Sequence, residues 1–221
     1  MLIDQNSRLY IYAITRDYGF APNPFFGVCT LATCKPRIRK QARVGDWILG
    51  VGGAELQEHS RKAIFLMRVS EKTTFQNYWN DSRFANKKPL RNGSKVRMVG
   101  DNIYHKDMHG DWLQEDSHHS NADGTVNQSN LKRDTGETSL VLISDYFIYF
   151  GSKSREIDLT LLDYKRIRDY RKLELNKNPV AFEYFQEFLD SNSSLVNMIM
   201  ADPCDFESSS ARVDQKTGAV T

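Results

Sequence analysis

Cysteine is scarce in this 221-residue chain: there are three, an odd number that does not build a disulfide framework. A reducing, cytoplasmic setting is therefore expected. No window approaches the roughly 18 apolar residues that a membrane-spanning helix needs, so no membrane partner is expected. The opening MLIDQNSRLY has an acid in place of a basic leader and no apolar core, so no secretory signal is expected either. Internal repeats, coiled-coil heptads, an HExxH helix and paired CxxC motifs are all lacking. Excess charge is lacking too. Thirty Lys and Arg set against 28 Asp and Glu leave +2, so global charge makes no case for a nucleic-acid binder.

What remains is enough for a core, with 40% apolar and 11% aromatic residues. The expectation is a single domain over residues 1–205 followed by a disordered tail over 206–221. Leu9–Ile14, Val44–Gly53, Ala63–Val69, Leu140–Ser144 and Tyr146–Gly151 read as strands, being runs of β-branched and aromatic residues bounded by turns. Gly45-Asp46 opens the second of these, and its later glycines allow a bulge or a ligand's close approach. Lys95–Val99 alternates basic and apolar groups as a half-buried strand does. Thr74–Trp79 reads as a short helix. Pro179–Asp190 reads as a longer one, with proline at its start and a stripe through Phe182, Phe185 and Leu189. Asn121–Gly136 is polar and turn-rich, which reads as a mobile surface excursion. The class expected is α+β: a small, strongly bent or closed β-sheet with helices at its rim and a C-terminal helix.

Four of the five histidines fall between Asp101 and Ser120, in DNIYHKDMHGDWLQEDSHHS, a stretch without a clean apolar period. Dense functional side chains on irregular backbone point to a loop lining a site. His105 and His109 stand four apart with Asp101, Asp107, Asp111, His118 and His119 nearby, a donor set that suits zinc or iron. Gly110 and the absent helical period argue against a shared helical turn, and neither a metal nor a cofactor is expected. Cys34, followed by Lys35 and Arg37, sits in a positive field that lowers a thiol pKa. A loop histidine can serve as its base. The catalytic candidates are Cys34, Asp101, His105 and His118; a purely structural cysteine is the alternative.

Charge and aromatic groups also fit nucleic acid. Lys35 to Arg43 holds five positive charges in nine residues, with Lys35, Arg37 and Arg39 as candidate phosphate contacts. A second basic group runs from Arg83 to Arg97. Tyr18, Phe20 and Trp112 supply aromatic faces on which a base can stack. Asp101, Asn102, Tyr104, Gln114, Ser117 and His118 supply donors and acceptors for its edge.

Gly27-Val28-Cys29-Thr30, the basic cluster and Val44-Gly45-Asp46-Trp47-Ile48-Leu49-Gly50 resemble the PUA-like barrels, particularly their EVE and ASCH branches. The fuller order TRDYGFAPNPFFGVCTLATCKPRIR, VGDWILGVGG, DNIYH, WLQEDSHHS and ISDYFIYFG is similar to the bacterial and phage nucleotide modification associated domain family, second type, from about Leu9 to Gly151. Its motif positions are Asp17, Gly19, Phe20, Pro22, Cys34, Lys35, Arg37, Asp101, Asn102, Tyr104, Gln114, Ser117, His118 and Ser120. The resemblance implies a PUA-like barrel and a link to modified nucleotides in DNA or RNA, often in defence systems. Two functions follow. The first is recognition of a modified base or nucleotide in nucleic acid; the second is an enzyme acting on a nucleotide or base through Cys34, Asp101 and the loop histidines. A partner-docking role for the 179–190 helix ranks behind both.

Overall fold

The computed structural model describes residues 3–4, 6–165, 169–214 and 216–221. In chain order the first half forms Arg8–Ile14 (β1), Cys29–Leu31 (β2), Pro36–Gln41 (α1), Trp47–Gly52 (β3), Ala63–Arg68 (β4), Glu71–Thr74 (β5), Phe75–Asn80 (α2), Lys95–Met98 (α3) and Tyr104–Lys106 (β6). The second half adds Trp112–Gln114 (β7), Gln128–Thr135 (α4), Leu140–Ser144 (β8), Tyr146–Tyr149 (β9), Arg171–Glu174 (β10), Pro179–Ser191 (α5) and Met198–Ile199 (β11).

The chain divides into two compact units. The first comprises Met1–Asp17, Ala42–Glu71 and Ser144–Cys204; the second comprises Tyr18–Gln41, Lys72–Ile143 and Asp205–Thr221. Because their segments alternate along the chain, no composition shift or linker marks a boundary in the sequence.

The first unit holds a mixed six-stranded sheet in the order β10-β1-β3-β4-β9-β11. β1 runs parallel to β3 with Leu9 opposite Trp47, while β3 and β4 are antiparallel with Leu49 opposite Leu66. A mixed α/β architecture therefore stands. The sheet order has β10 and β11 as edges, and no closed barrel is formed among the described residues. The Gly45-Asp46 turn is anchored electrostatically: Gly45 takes φ +91°, and Asp46 accepts the backbone N–H groups of Arg8 and Arg43 and the Arg8 guanidinium. The bulge expected from the glycines lies between Gly50 and Val51. A Cβ at Gly50 would fall 2.1 Å from Phe65 Cε1, so the close approach there is made by a core ring.

One face of this sheet packs on α5. Ala181, Phe185, Phe188 and Leu189, at i, i+4, i+7 and i+8, bury against Leu9, Trp47, Leu49, Leu66 and Ile148. The stripe is the expected one, rotated so that Phe182 is only partly covered. Pro179 stands at the first helical position, where its fixed φ is suited and its missing N–H costs nothing. Among the described residues no helix is long and apolar enough to cross a membrane.

The second unit is built from the three-stranded sheet β2-β8-β5, the β6–β7 hairpin and α1 to α4 around a core rich in aromatics. Lys95–Met98 is a helical turn, not the expected strand. Five alternating residues fit one turn as well as a short strand, and Met98 and Val99 donate back to Ser94 and Lys95. The supposed excursion over 121–136 contains α4. Asn127 caps that helix, accepting the Asn130 N–H at 2.9 Å, and Asn130, Leu131 and Asp134 are buried. Nor is the described part of the tail loose. Val213 is buried and donates its N–H to His118 O, while Arg212 grips Asp116 through paired contacts.

Candidate active site at Cys34, His119 and Asp134

Cys34 lies in the tight turn between β2 and α1, and this turn is strained. Cys34 and Lys35 take φ of +58° and +39°, a region that disfavours side chains other than glycine. The surroundings hold it. The Cys34 N–H donates to Asp134 Oδ1 at 3.0 Å, and its carbonyl accepts Arg39 Nε at 2.9 Å. Arg39 continues from α1 to the Leu140 carbonyl on β8 and the Asp134 carbonyl at the end of α4, with its cation over the Phe75 ring. One buried guanidinium thus ties the turn to its neighbours.

The half-buried thiol faces a histidine. Cys34 Sγ is 3.7 Å from His119 Nε2, and His119 Nδ1 is 2.8 Å from Asp134 Oδ2. Asp134 Oδ2 also accepts the Tyr104 hydroxyl at 2.9 Å. The His119 carbonyl is fixed by side-chain amides from Gln114 and Asn130, both at 2.8 Å, and Phe20 meets the imidazole edge-on at 4.8 Å. Histidine and carboxylate are fully buried. This is the nucleophile, base and orienting-group relation of a catalytic triad.

The electrostatics fit that relation. Burial by itself pushes the Cys34 thiol up, but Arg133 and His119 outweigh it and bring the thiol down to about 7. Burial also opposes charge on His119, yet Asp134 and Cys34 overcome it and raise the imidazole to about 9. For Asp134, His119 and then Arg133 and Arg39 override burial and hold the carboxyl down at about 2. A thiol pulled down beside an imidazole pushed up favours the thiolate–imidazolium pair, the reactive form of a cysteine nucleophile.

The family model for nucleotide modification associated domain 2 matches residues 6–210. The chain belongs to this family. No curated protein and no solved structure matches it. The match extends beyond the region of sequence resemblance, and Cys34, His119 and Asp134 all lie within it.

Within this domain the other expected site residues scatter. Asp101 is fully buried, with one oxygen accepting Tyr78 OH at 2.8 Å and the other Thr30 Oγ1 at 2.6 Å. Burial raises its pKa against the pull of Lys87. Lys87, also buried, donates to Asn23 and the Val28 carbonyl, and burial brings it down to about 8. Asp101 therefore anchors a core network, apart from the thiol. Asn102 is buried as well, its amide donating to the Tyr78 and Phe84 carbonyls. Gln114 bridges His119 O and the Asn127 N–H; the Ser117 hydroxyl accepts the His119 N–H. Both support the triad histidine. Tyr104 supports the triad carboxylate.

His118, the histidine favoured from sequence, points elsewhere. Its Nδ1 lies 2.6 Å from the Ala211 carbonyl, and its ring packs on Tyr18 at 4.3 Å and Phe20 at 5.2 Å. Tyr18 and Phe20 are thereby core neighbours of the two histidines. His105 lies on β6, stacked flat on Trp79 at 3.9 Å, while His109 is exposed in the β6–β7 turn. Trp112 packs edge-on against Phe75 with Lys106 over its ring. Arg39 has each of its three guanidinium nitrogens on an internal carbonyl and is fully buried, away from any phosphate in solvent. Of that expected group only Lys35 and Arg37 keep exposed surface, Arg37 within 3.7 Å of Glu137.

Two roles escaped the sequence reading. His119 was named only among possible metal donors, with His118 preferred as the base, and Asp134 was hidden in a polar stretch. A signal for the latter was present: Asn127, Asn130, Leu131 and Asp134 stand at i, i+3, i+4 and i+7, the spacing of one buried helical face behind an asparagine cap.

Proposed function

We propose that this protein is a cysteine-dependent enzyme that removes or transfers an acyl-type group on a modified nucleotide or base. The carrying observation is the Cys34–His119–Asp134 chain of contacts, at 3.7 and 2.8 Å. Membership of the nucleotide modification associated family supports the substrate side: a role linked to nucleic-acid modification. Both halves of the reading rest on different observations and fail separately.

In the proposed reaction the Cys34 thiolate attacks the carbonyl carbon and forms a carbon–sulfur bond. The tetrahedral adduct collapses as His119 Nε2 gives its proton to the leaving amine or alkoxide, leaving a thioester and a neutral imidazole. Water or an acceptor amine then attacks the thioester, losing its proton to His119, and the thiolate departs. Asp134 keeps Nδ1 of His119 protonated and Nε2 turned to sulfur throughout. Recognition of a modified base, expected as a function in itself, becomes substrate selection, with Lys35 and Arg37 beside the nucleophile as its phosphate contacts. The PUA-like likeness carries no part of this reading.

The test is turnover of modified nucleotides, and of short DNA and RNA oligonucleotides bearing acylated bases, by the wild type and by Cys34→Ala. Release of the acyl group by the wild type alone supports the proposal. Tight, modification-dependent binding with no release across that set, equal in both proteins, overturns it in favour of a reader.

A further inference from the structure

One cation beside the thiol, which it contacts and stabilises as thiolate, still has donor capacity to spare. Arg133 precedes Asp134 on α4, and its Nη1 is buried with no hydrogen-bond partner among the described residues. That nitrogen is 3.9 Å from Asp134 Oδ1, beyond hydrogen-bonding reach. The contrast with Arg39, whose three nitrogens all meet carbonyl oxygens, is plain. Charge is uneven as well. With the thiolate formed, Arg133, Arg39 and His119 stand against Cys34 and Asp134, leaving one positive charge uncompensated at the nucleophile. Arg39 is locked among carbonyls, whereas Arg133, in contact with the Cys34 sulfur, keeps a third of its side chain exposed and is the cation that an incoming anion can reach.

We propose that Arg133 is the receptor for an anionic oxygen, carboxylate or phosphate, carried by the substrate close to the carbon that Cys34 attacks. The proposal rests on Cys34 being the nucleophile and adds what selects its substrate. Guanidinium suits this task because its planar donors match such oxygens in pairs, and in a partly water-excluded site that match is strengthened. Neutral analogues of the substrate would then reach the thiolate but leave a buried donor open.

Alkylation of Cys34 separates these roles, using iodoacetate as the anionic probe and iodoacetamide as its neutral counterpart. Rates are followed by mass on the Cys34 peptide across pH, and the plateau rate constants are compared so that thiolate content drops out. The ratio of iodoacetate to iodoacetamide plateau rates should fall roughly tenfold, one charge-assisted contact, in Arg133→Gln and be largely kept in Arg133→Lys. Protection of wild-type Cys34 by inorganic phosphate, lost in Arg133→Gln, would identify phosphate as the group. An iodoacetate preference without phosphate protection would identify a carboxylate. An unchanged ratio in Arg133→Gln together with no phosphate protection overturns the proposal while a thiol midpoint near 7 still upholds the nucleophile. A wild-type midpoint in the ordinary thiol range instead overturns the nucleophile reading on its own.

Discussion

Replacing His119 by alanine tests the coupling between thiol and imidazole. The thiol at about 7 is the outcome of burial pushing up against Arg133 and His119 pulling down. The substitution removes one of the two cations and the sulfur contact at 3.7 Å, while Arg133 remains and burial persists. The thiol should return to the ordinary range near 8.5 or above. At pH 7 about half of the wild-type cysteine is thiolate, whereas a thiol at 8.5 to 9 leaves about 1–3%. Iodoacetamide alkylation of the Cys34 peptide at pH 7 should therefore slow by about twenty- to fifty-fold, and its pH midpoint should move up by about 1.5 to 2 units. At pH 10 the two rates should converge. A midpoint that stays near 7 in His119→Ala would refute the reasoning, because the imidazole would then have no hold on the sulfur.

Asp101→Ala removes the acceptors of the Tyr78 and Thr30 hydroxyls and the negative charge whose field raises Lys87 against burial. Leaving buried donors unsatisfied costs about 1–3 kcal/mol each, so chemical denaturation should show a clear loss of stability while the Cys34 midpoint stays near 7. Asp134→Asn tests pH linkage. His119 is raised, so its contribution is complete below the ordinary imidazole range, declines as pH rises and is lost through about 9. Asp134 is depressed, so its contribution is present above the ordinary carboxylate range and is lost as pH falls through about 2. The variant should lose stability between about pH 5 and 8 and show a flatter stability–pH curve on both sides. Truncation after Ser210 removes the Ala211 carbonyl from His118 and the buried Val213; the melting temperature should drop, whereas a disordered tail would leave it unchanged.

How much of this was legible follows from the length and chemistry of each segment. β1, β3, β4 and α5 could be read because their apolar runs are long and end in glycine, proline or acid-turn signals. Lys95–Val99 could not, since a period of two and a single helical turn are indistinguishable over five residues. The thiol was visible through Lys35 and Arg37, although the cation that acts on it most is Arg133, about a hundred residues away in sequence. Adjacent His118 and His119 carry the same chemistry in sequence. A turn sends one to the Ala211 carbonyl and the other to Asp134, a choice made by contacts far along the chain. Asp101 misled for a general reason: a buried carboxylate bonded to hydroxyls reads, in sequence, like one poised in a site.

The account stands or falls on whether Cys34 bonds to substrate. The direct measurement is the intact mass of the protein, acid-quenched during reaction with modified nucleotides, for the wild type, His119→Ala and Cys34→Ala. The account expects a mass increase equal to the transferred group on the Cys34 peptide of the wild type, less of it in His119→Ala and none in Cys34→Ala. Turnover that persists in Cys34→Ala with no adduct on any protein would contradict it.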